Sequence, residues 1–185
     1  MSTEKDLIYY ELLVLRCRRR DPGAMEELIR HWERKLFYYV RRLLDSEEDT
    51  WDALQEIWLK VIRSIATLRE PHSLPMWLYR IARNTAMSRL RKRYADQALY
   101  DDSEVLADVE QSSEQFSFED ADQVHYALGR VSLAHREVLT LYFLQDLAII
   151  EIAEVLGLSL GTIKSRLHFG KRALRAVLEQ EEATP

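Results

Sequence analysis

The stretch Leu147-Ala148-Ile149-Ile150-Glu151-Ile152-Ala153-Glu154-Val155-Leu156-Gly157-Leu158-Ser159-Leu160-Gly161-Thr162-Ile163-Lys164-Ser165-Arg166-Leu167 decides the reading of this chain. Ile149, Ile152, Ala153 and Leu156 recur at helical spacing and give a short helix one buried face. Ala153 is small where a second helix would cross closely. Gly157 suits a left-handed helix terminus. Leu158 plugs the turn, and Ser159 is a natural N-cap for a second helix. Ile163 and Leu167, four apart, face inward, which leaves Gly161, Thr162, Lys164, Ser165, Arg166 and His168 outward. The pattern predicts a helix-turn-helix whose second helix, 160–172, presents polar and basic side chains to major-groove edges and phosphates. The competing reading is an ordinary helical hairpin with a polar outer face. The coincidence of spacing, cap and an acid-free basic helix favours DNA.

The rest of the chain is consistent with an all-α protein. It has 185 residues, which allows one medium domain or two small ones, and only 5 Gly and 4 Pro, too few for a turn-rich β fold. Hydrophobic residues at 47% can build a core. The single cysteine, Cys17, excludes an intrachain disulfide and a cysteine-based zinc site, and the five histidines are scattered. No metal, cofactor or catalytic residue is expected. The N-terminus has no signal-peptide pattern, and the longest apolar run, Leu36–Val40, is far short of a membrane span. A soluble, cytoplasmic protein without direct membrane insertion is expected.

Net charge is −5, but it is segregated. Residues 71–95 carry Arg80, Arg83, Arg89, Arg91, Lys92 and Arg93 and no acid. Residues 98–123 carry nine acids and no base. Residues 155–178 carry Lys164, Arg166, Lys171, Arg172 and Arg175 and no acid. Such blocks imply different partners for different segments. The organisation follows from this and from periodicity. Leu7–Arg20 reads as a helix. Asp21-Pro22-Gly23 is a turn in which Pro22 could open the next helix. Leu28, Ile29, Trp32, Leu36, Val40, Leu43 and Leu44 mark that helix. Asp45–Asp49 supplies caps, and Leu54, Ile57, Trp58, Val61 and Ile62 share one side of another helix. A loop follows at about 66–74, with Pro75 as a helix N1 residue. The stripe Trp77, Leu78, Ile81, Ala82, Thr85 then runs into the basic cluster. Residues 1–97 thus form a bundle of about four helices, 98–123 an acidic linker, and 124–185 a second helical domain containing the helix-turn-helix.

Three passages, in order along the chain, resemble a known family. Gly157-Leu-Ser-Leu-Gly-Thr-Ile-Lys-Ser-Arg-Leu-His168, continuing to Gly170-Lys-Arg-Ala-Leu174, resembles region four of bacterial RNA polymerase sigma factors, especially the extracytoplasmic-function (ECF) group. Asp52-Ala-Leu-Gln-Glu-Ile-Trp-Leu-Lys-Val61 resembles their region-two polymerase-binding helix. Pro75-Met-Trp-Leu-Tyr-Arg-Ile-Ala-Arg-Asn84, followed by Leu90-Arg-Lys92, resembles their promoter-melting and −10 segment.

The resemblance implies a dissociable initiation subunit of core RNA polymerase that recognises promoter DNA. Asp52, Gln55, Glu56 and Lys60 would meet the β′ clamp helices, while Trp58 reads as core. Arg80, Arg83, Asn84, Arg91 and Lys92 would follow the −10 backbone. The loop 67–74, with Arg69 and His72, would hold a base flipped from the non-template strand. Trp77 could stack on a base, but its spacing equally makes it a core anchor. Thr162, Lys164, Ser165, Arg166 and His168 would read the −35 element, with Lys171 and Arg172 on its backbone. The second domain would also touch the β flap, the acidic linker would thread toward the active-site cleft, and an anti-sigma factor is an expected partner. Trp51, Ser88 and Ile149-Ile150 depart from the family pattern without breaking any helix. Two rivals remain: a helix-turn-helix regulator with a helical sensory or dimerisation domain, and an enzyme, for which no nucleophile, phosphate loop or metal spacing is present.

Overall fold

The computed structural model describes residues 4–44, 46–98 and 121–182. Eight α-helices account for most of them: α1 (Glu4–Arg18), α2 (Ala24–Leu43), α3 (Glu47–Ser64), α4 (Leu74–Ala98), α5 (Ala121–Arg130), α6 (Leu133–Leu139), α7 (Ile149–Leu156) and α8 (Leu160–Glu182). No strand occurs among the described residues. The greater part of the acidic stretch 98–123, residues 99–120, lies outside the described residues, and α5 begins at Ala121.

Helices α1–α4 form the first unit. The α1–α2 corner is set by backbone: Gly23 sits at φ 83° as the N-cap of α2, so the helix opens at Ala24 and Pro22 stays in the turn instead of occupying its first position. The Arg16 guanidinium fastens this corner, reaching Asp21 at 2.6 Å and Glu27 at 2.6 Å. At the start of α3, Ser46 accepts the Asp49 N–H, and Glu47, Glu48 and Asp49 lie at the positive end of the helix. Leu28, Trp32, Leu36, Leu54, Ile57 and Leu78 are buried together. Trp58 is core, at 7% exposure. Ile62, by contrast, is 49% exposed: it continues the outer face of α3, one residue past the buried Val61. Helix α4 buries more than one stripe. Leu78, Tyr79, Ala82, Thr85, Ala86 and Leu90 are all inaccessible, because both the first unit and the second pack on it.

Helices α5–α8 form the second unit. A π-helical turn at Thr140–Leu144 extends α6, and Asp146 at φ 53° redirects the chain into α7. Glu151 reaches back to the Ala148 N–H at 2.6 Å, one half of a capping box. Gly157 adopts φ 66° at the end of α7, as the helix-turn-helix requires, and the Ser159 hydroxyl accepts the Thr162 N–H at 3.1 Å. Ile152, Val155, Leu156, Ile163 and Leu167 close the angle between α7 and α8. Further along α8, Gly170 lies against α6, where an added Cβ would stand 3.2 Å from His135 Cβ and 3.3 Å from Leu139 Cγ.

This close approach gives a test of the packing. Gly170→Val should force α6 and α8 apart and cost about 1–3 kcal/mol, read as a lowered midpoint in thermal unfolding with the helical far-ultraviolet spectrum retained at low temperature.

Candidate nucleic-acid interface

On α8 the side chains expected at the −35 element divide by exposure. Lys164 and Ser165 stand in solvent just past the helix start. Thr162 is half-buried, and its hydroxyl lies 2.8 Å from that of Ser159, tying it to the cap. Arg166 is half-buried on the side of α8 that faces α6. Burial and the neighbouring Arg166 charge together push the His135 imidazole below its ordinary range. His168 rests edge-on to Phe169 at 5.4 Å between ring centres. Lys171 lies 5.7 Å from the Tyr142 ring centre and 5.4 Å from that of Phe143, and Arg172 is half-buried beside it. The outermost tip is therefore Lys164–Ser165, with Arg166 flanking it and Lys171 and Arg172 a turn or more along.

On α3 the residues expected to meet polymerase form a network with α4. Lys60 pairs with Glu56 at 2.7 Å and donates to the Thr85 hydroxyl at 2.9 Å. Arg89 reaches Glu56 at 3.4 Å and Asp52 at 3.9 Å. The hydrogen bond from Lys60, backed by the charges of Lys60 and Arg89, holds the Glu56 carboxyl below the usual carboxylate range. Gln55 projects from the same face. Beside these polar groups lie exposed Trp51, Leu59 and Ile62, at 46%, 53% and 49%. Trp51 stacks on Phe37 with ring centres 4.5 Å apart. Leu59 was legible as an apolar residue out of phase with the core stripe. Ile62 was not, because its spacing fits the buried side almost as well.

The loop before α4 consists of two short 3-10 turns, Ile65–Thr67 and Pro71–Ser73. Leu68 and Leu74 anchor it in the core, and the Arg18 guanidinium donates to the Leu68 carbonyl. Arg69 and His72 are exposed between these anchors, with His72 3.6 Å from Glu70. Trp77 is half-buried and packs on the core.

The basic face of α4 is divided. Asn84, Arg91 and Lys92 are exposed. Arg80 and Arg83 instead meet the second unit. Arg83 Nε donates to Glu137 Oε1 at 2.8 Å, and the Tyr39 hydroxyl donates to the same oxygen at 3.1 Å. Arg80 Nη2 reaches Glu154 Oε1 at 2.9 Å. The Tyr79 hydroxyl donates to Gln145 Oε1 at 2.6 Å, and Arg136 Nη1 donates to the Arg42 carbonyl at 3.3 Å. Glu137 is 2% exposed and Arg83 25%, so this pair is desolvated, whereas Arg80 and Glu154 are about half exposed and their contact is screened. Burial first, and Glu137 second, push the Tyr39 phenol well above its ordinary range, so it stays a donor throughout the physiological pH range. The sequence set Arg80, Arg83, Asn84, Arg91 and Lys92 on one DNA face; in the structure Arg83 is mostly covered and Arg80 is paired but half exposed, while Arg91 and Lys92 lie about 12 Å further along the helix axis from Arg83.

Comparison with known proteins agrees with this layout. Residues 28–95 match Sigma-70 region 2, and residues 121–174 match Sigma-70, region 4. RNA polymerase sigma factor SigV of Bacillus subtilis (strain 168) is 30% identical over 149 residues, covering 80% of this chain and 85% of SigV. The ECF RNA polymerase sigma factor SigW of the same organism is 26% identical over 176 residues, covering 89% of this chain and 94% of SigW. Among solved structures, the sigma factor RpoE in complex with the anti-sigma factor NepR from Bartonella quintana superposes with a TM-score of 0.71 at 22% identity, covering 85% of this chain and 98% of that one. CnrH in complex with the cytosolic domain of CnrY gives 0.68 at 22% identity, covering 92% and 97%. With both regions present in order on an all-helical chain, the protein belongs to the ECF RNA polymerase sigma factors, DNA-binding factors that direct transcription initiation.

Proposed function

We propose that the two helical units divide the promoter between them: residues 1–97 bind core polymerase and open the −10 element, and residues 124–185 read the −35 element. The observation that carries the reading is the tip of α8. An acid-free helix start exposes Lys164 and Ser165, with Arg166 beside them, on a helix whose angle is fixed by Gly157 and the Ser159 cap. Lys164 and Arg166 take guanine edges or phosphates, Ser165, Thr162 and His168 add hydrogen bonds, and Lys171 and Arg172 hold the backbone.

In the first unit, Asp52, Gln55, Glu56 and Lys60 supply polar contacts to the β′ clamp helices, beside the exposed apolar Leu59 and Ile62. A patch of apolar residues rimmed by charges is what a protein partner covers. Arg80, Arg83, Asn84, Arg91 and Lys92 follow the −10 strand, and the loop carrying Arg69 and His72 holds the flipped base. Melting consumes no chemical energy from this chain, which catalyses no reaction; binding of the opened strand offsets the unpairing. The structural neighbours in complexes with NepR and CnrY make an anti-sigma factor a proposed partner, and a cytoplasmic location follows from the polymerase.

Two measurements test this division. Lys164→Ala with Arg166→Ala should weaken −35-dependent open-complex formation by about 1–3 kcal/mol for each base edge that is no longer read, while co-elution with core polymerase is unchanged. Equal loss of core binding contradicts the assignment. Leu59→Glu with Ile62→Glu should do the reverse, abolishing stoichiometric co-elution with core polymerase while thermal stability changes little, because both side chains are about half exposed on the outer face of α3.

A further inference from the structure

The first helix and the turn after it end in a run of cations, Arg16, Arg18, Arg19 and Arg20, beside the loop assigned to the flipped base. Helix α1 packs against both 3-10 turns of that loop, Ile65–Thr67 and Pro71–Ser73. The Arg18 guanidinium donates to the carbonyl of Leu68, the residue before Arg69, which pins the end of α1 to the loop. Two of the four cations are thus used within the fold: Arg16 holds Asp21 and Glu27, and Arg18 holds the Leu68 carbonyl. Arg19 and Arg20 are not. Both are exposed, and neither has an acidic partner among the described residues. The acids nearest in the chain are taken: Asp21 by Arg16, and Glu70, the only acid of the loop, lies 3.6 Å from His72. A helix C-terminus favours positive charge, but that effect does not account for the backbone of Arg20. Arg20 sits at φ 56°, a region that two of the four positive-φ positions among the described residues, Gly23 and Gly157, fill with glycine. A long side chain kept there at a conformational cost points to a use for that side chain.

We propose that Arg19 and Arg20 form a further DNA site: they hold phosphates of the opened promoter strand next to the nucleotide whose base the loop captures. The proposal rests on the assignment of the loop, with Arg69 and His72, to that base. Arg69 adjoins Leu68, and Arg19 and Arg20 follow Arg18, so three exposed guanidiniums flank the point where α1 is pinned. A base turned into a pocket leaves the neighbouring sugar-phosphate backbone outside it, and a single strand is held by captured bases together with a positive groove that tracks that backbone. Phosphate contacts fix register without reading sequence. Arg19 and Arg20 therefore act on every promoter alike: they hold the strand once its base has been captured, while the loop and α8 carry the sequence preference.

The test uses holoenzyme assembled from core polymerase and the full-length chain. It is titrated with a fluorescein-labelled single strand carrying the non-template sequence of a promoter that it opens, and anisotropy is followed over a range of salt concentrations. Arg19 is exposed, and Arg20→Gly relaxes the left-handed backbone as it removes the side chain, so the variant Arg19→Ala with Arg20→Gly should keep its thermal unfolding midpoint. It should flatten the slope of log affinity against log salt by about 1.4, at about 0.7 for each of two phosphates, so that its deficit against the unsubstituted chain grows to about 25-fold as salt falls from about 1 M to about 0.1 M. Changing the bases beside the captured one should leave that deficit the same, because only backbone is held. Arg19→Lys with Arg20→Lys should keep most of the slope, since a phosphate needs only the charge. Unchanged affinity and slope in the Ala and Gly variant, with binding by the unsubstituted holoenzyme intact, overturns the site and leaves the loop assignment standing. Loss of co-elution with core polymerase in that variant assigns the pair to a protein contact and also overturns the site. Failure of the unsubstituted holoenzyme to bind the strand overturns both the site and the loop assignment.

Discussion

A single buried carboxylate organises the arrangement of the two helical units. Glu137 cannot lose its water without a cation and a donor, and α4 and α2 supply both, as Arg83 and Tyr39. Once that pair is set, Tyr79 is enclosed between the rings of Trp32 and Tyr39, at 5.8 and 5.3 Å, with its hydroxyl committed to Gln145. Helix α4 therefore serves two cores at once. Removing one partner of such a pair is costly, about 3–5 kcal/mol, because it leaves an uncompensated buried charge.

Function is distributed along α4 and α8 according to what each helix can leave uncovered. On α8, Ile163, Leu167 and Leu174 hold the helix by one side, and Gly170 lets it lie close to α6. The opposite side is free to carry charge. On α4, apolar residues are needed on more than one side, so the basic residues are pushed to whatever positions remain: Arg89 into the α3 network, Arg80 and Arg83 into the seam between the units, and Arg91 and Lys92 to the exposed end.

The turn and cap of the helix-turn-helix were legible in the sequence because their determinants are local. Gly157 for the left-handed turn, Ser159 for the cap and the spacing of Ile152, Ile163 and Leu167 each act within a few residues. The three family-like passages and the all-helical class were legible for the same reason. Less was legible at Pro22, where the positive φ of Gly23 moved the helix start, and at Ile62, one position beyond a buried residue. The seam was not legible at all. Arg83 and Glu137 are far apart in the chain, and neither breaks a periodic pattern. The segregation of charge that suggested one continuous DNA face could not reveal that acids of the second unit would sit on half of it. Arg166 was likewise placed outward by spacing, while the packing of α6 turns it half inward.

The central claim is that this chain converts core polymerase into an enzyme that opens specific promoters. Permanganate footprinting of thymines on a promoter-bearing duplex, with the purified chain and core polymerase together and separately, tests it most directly. Reactive thymines confined to the −10 region, present only with both components, are the result predicted. A duplex that stays unreactive with both, or that opens with the chain alone, contradicts the account.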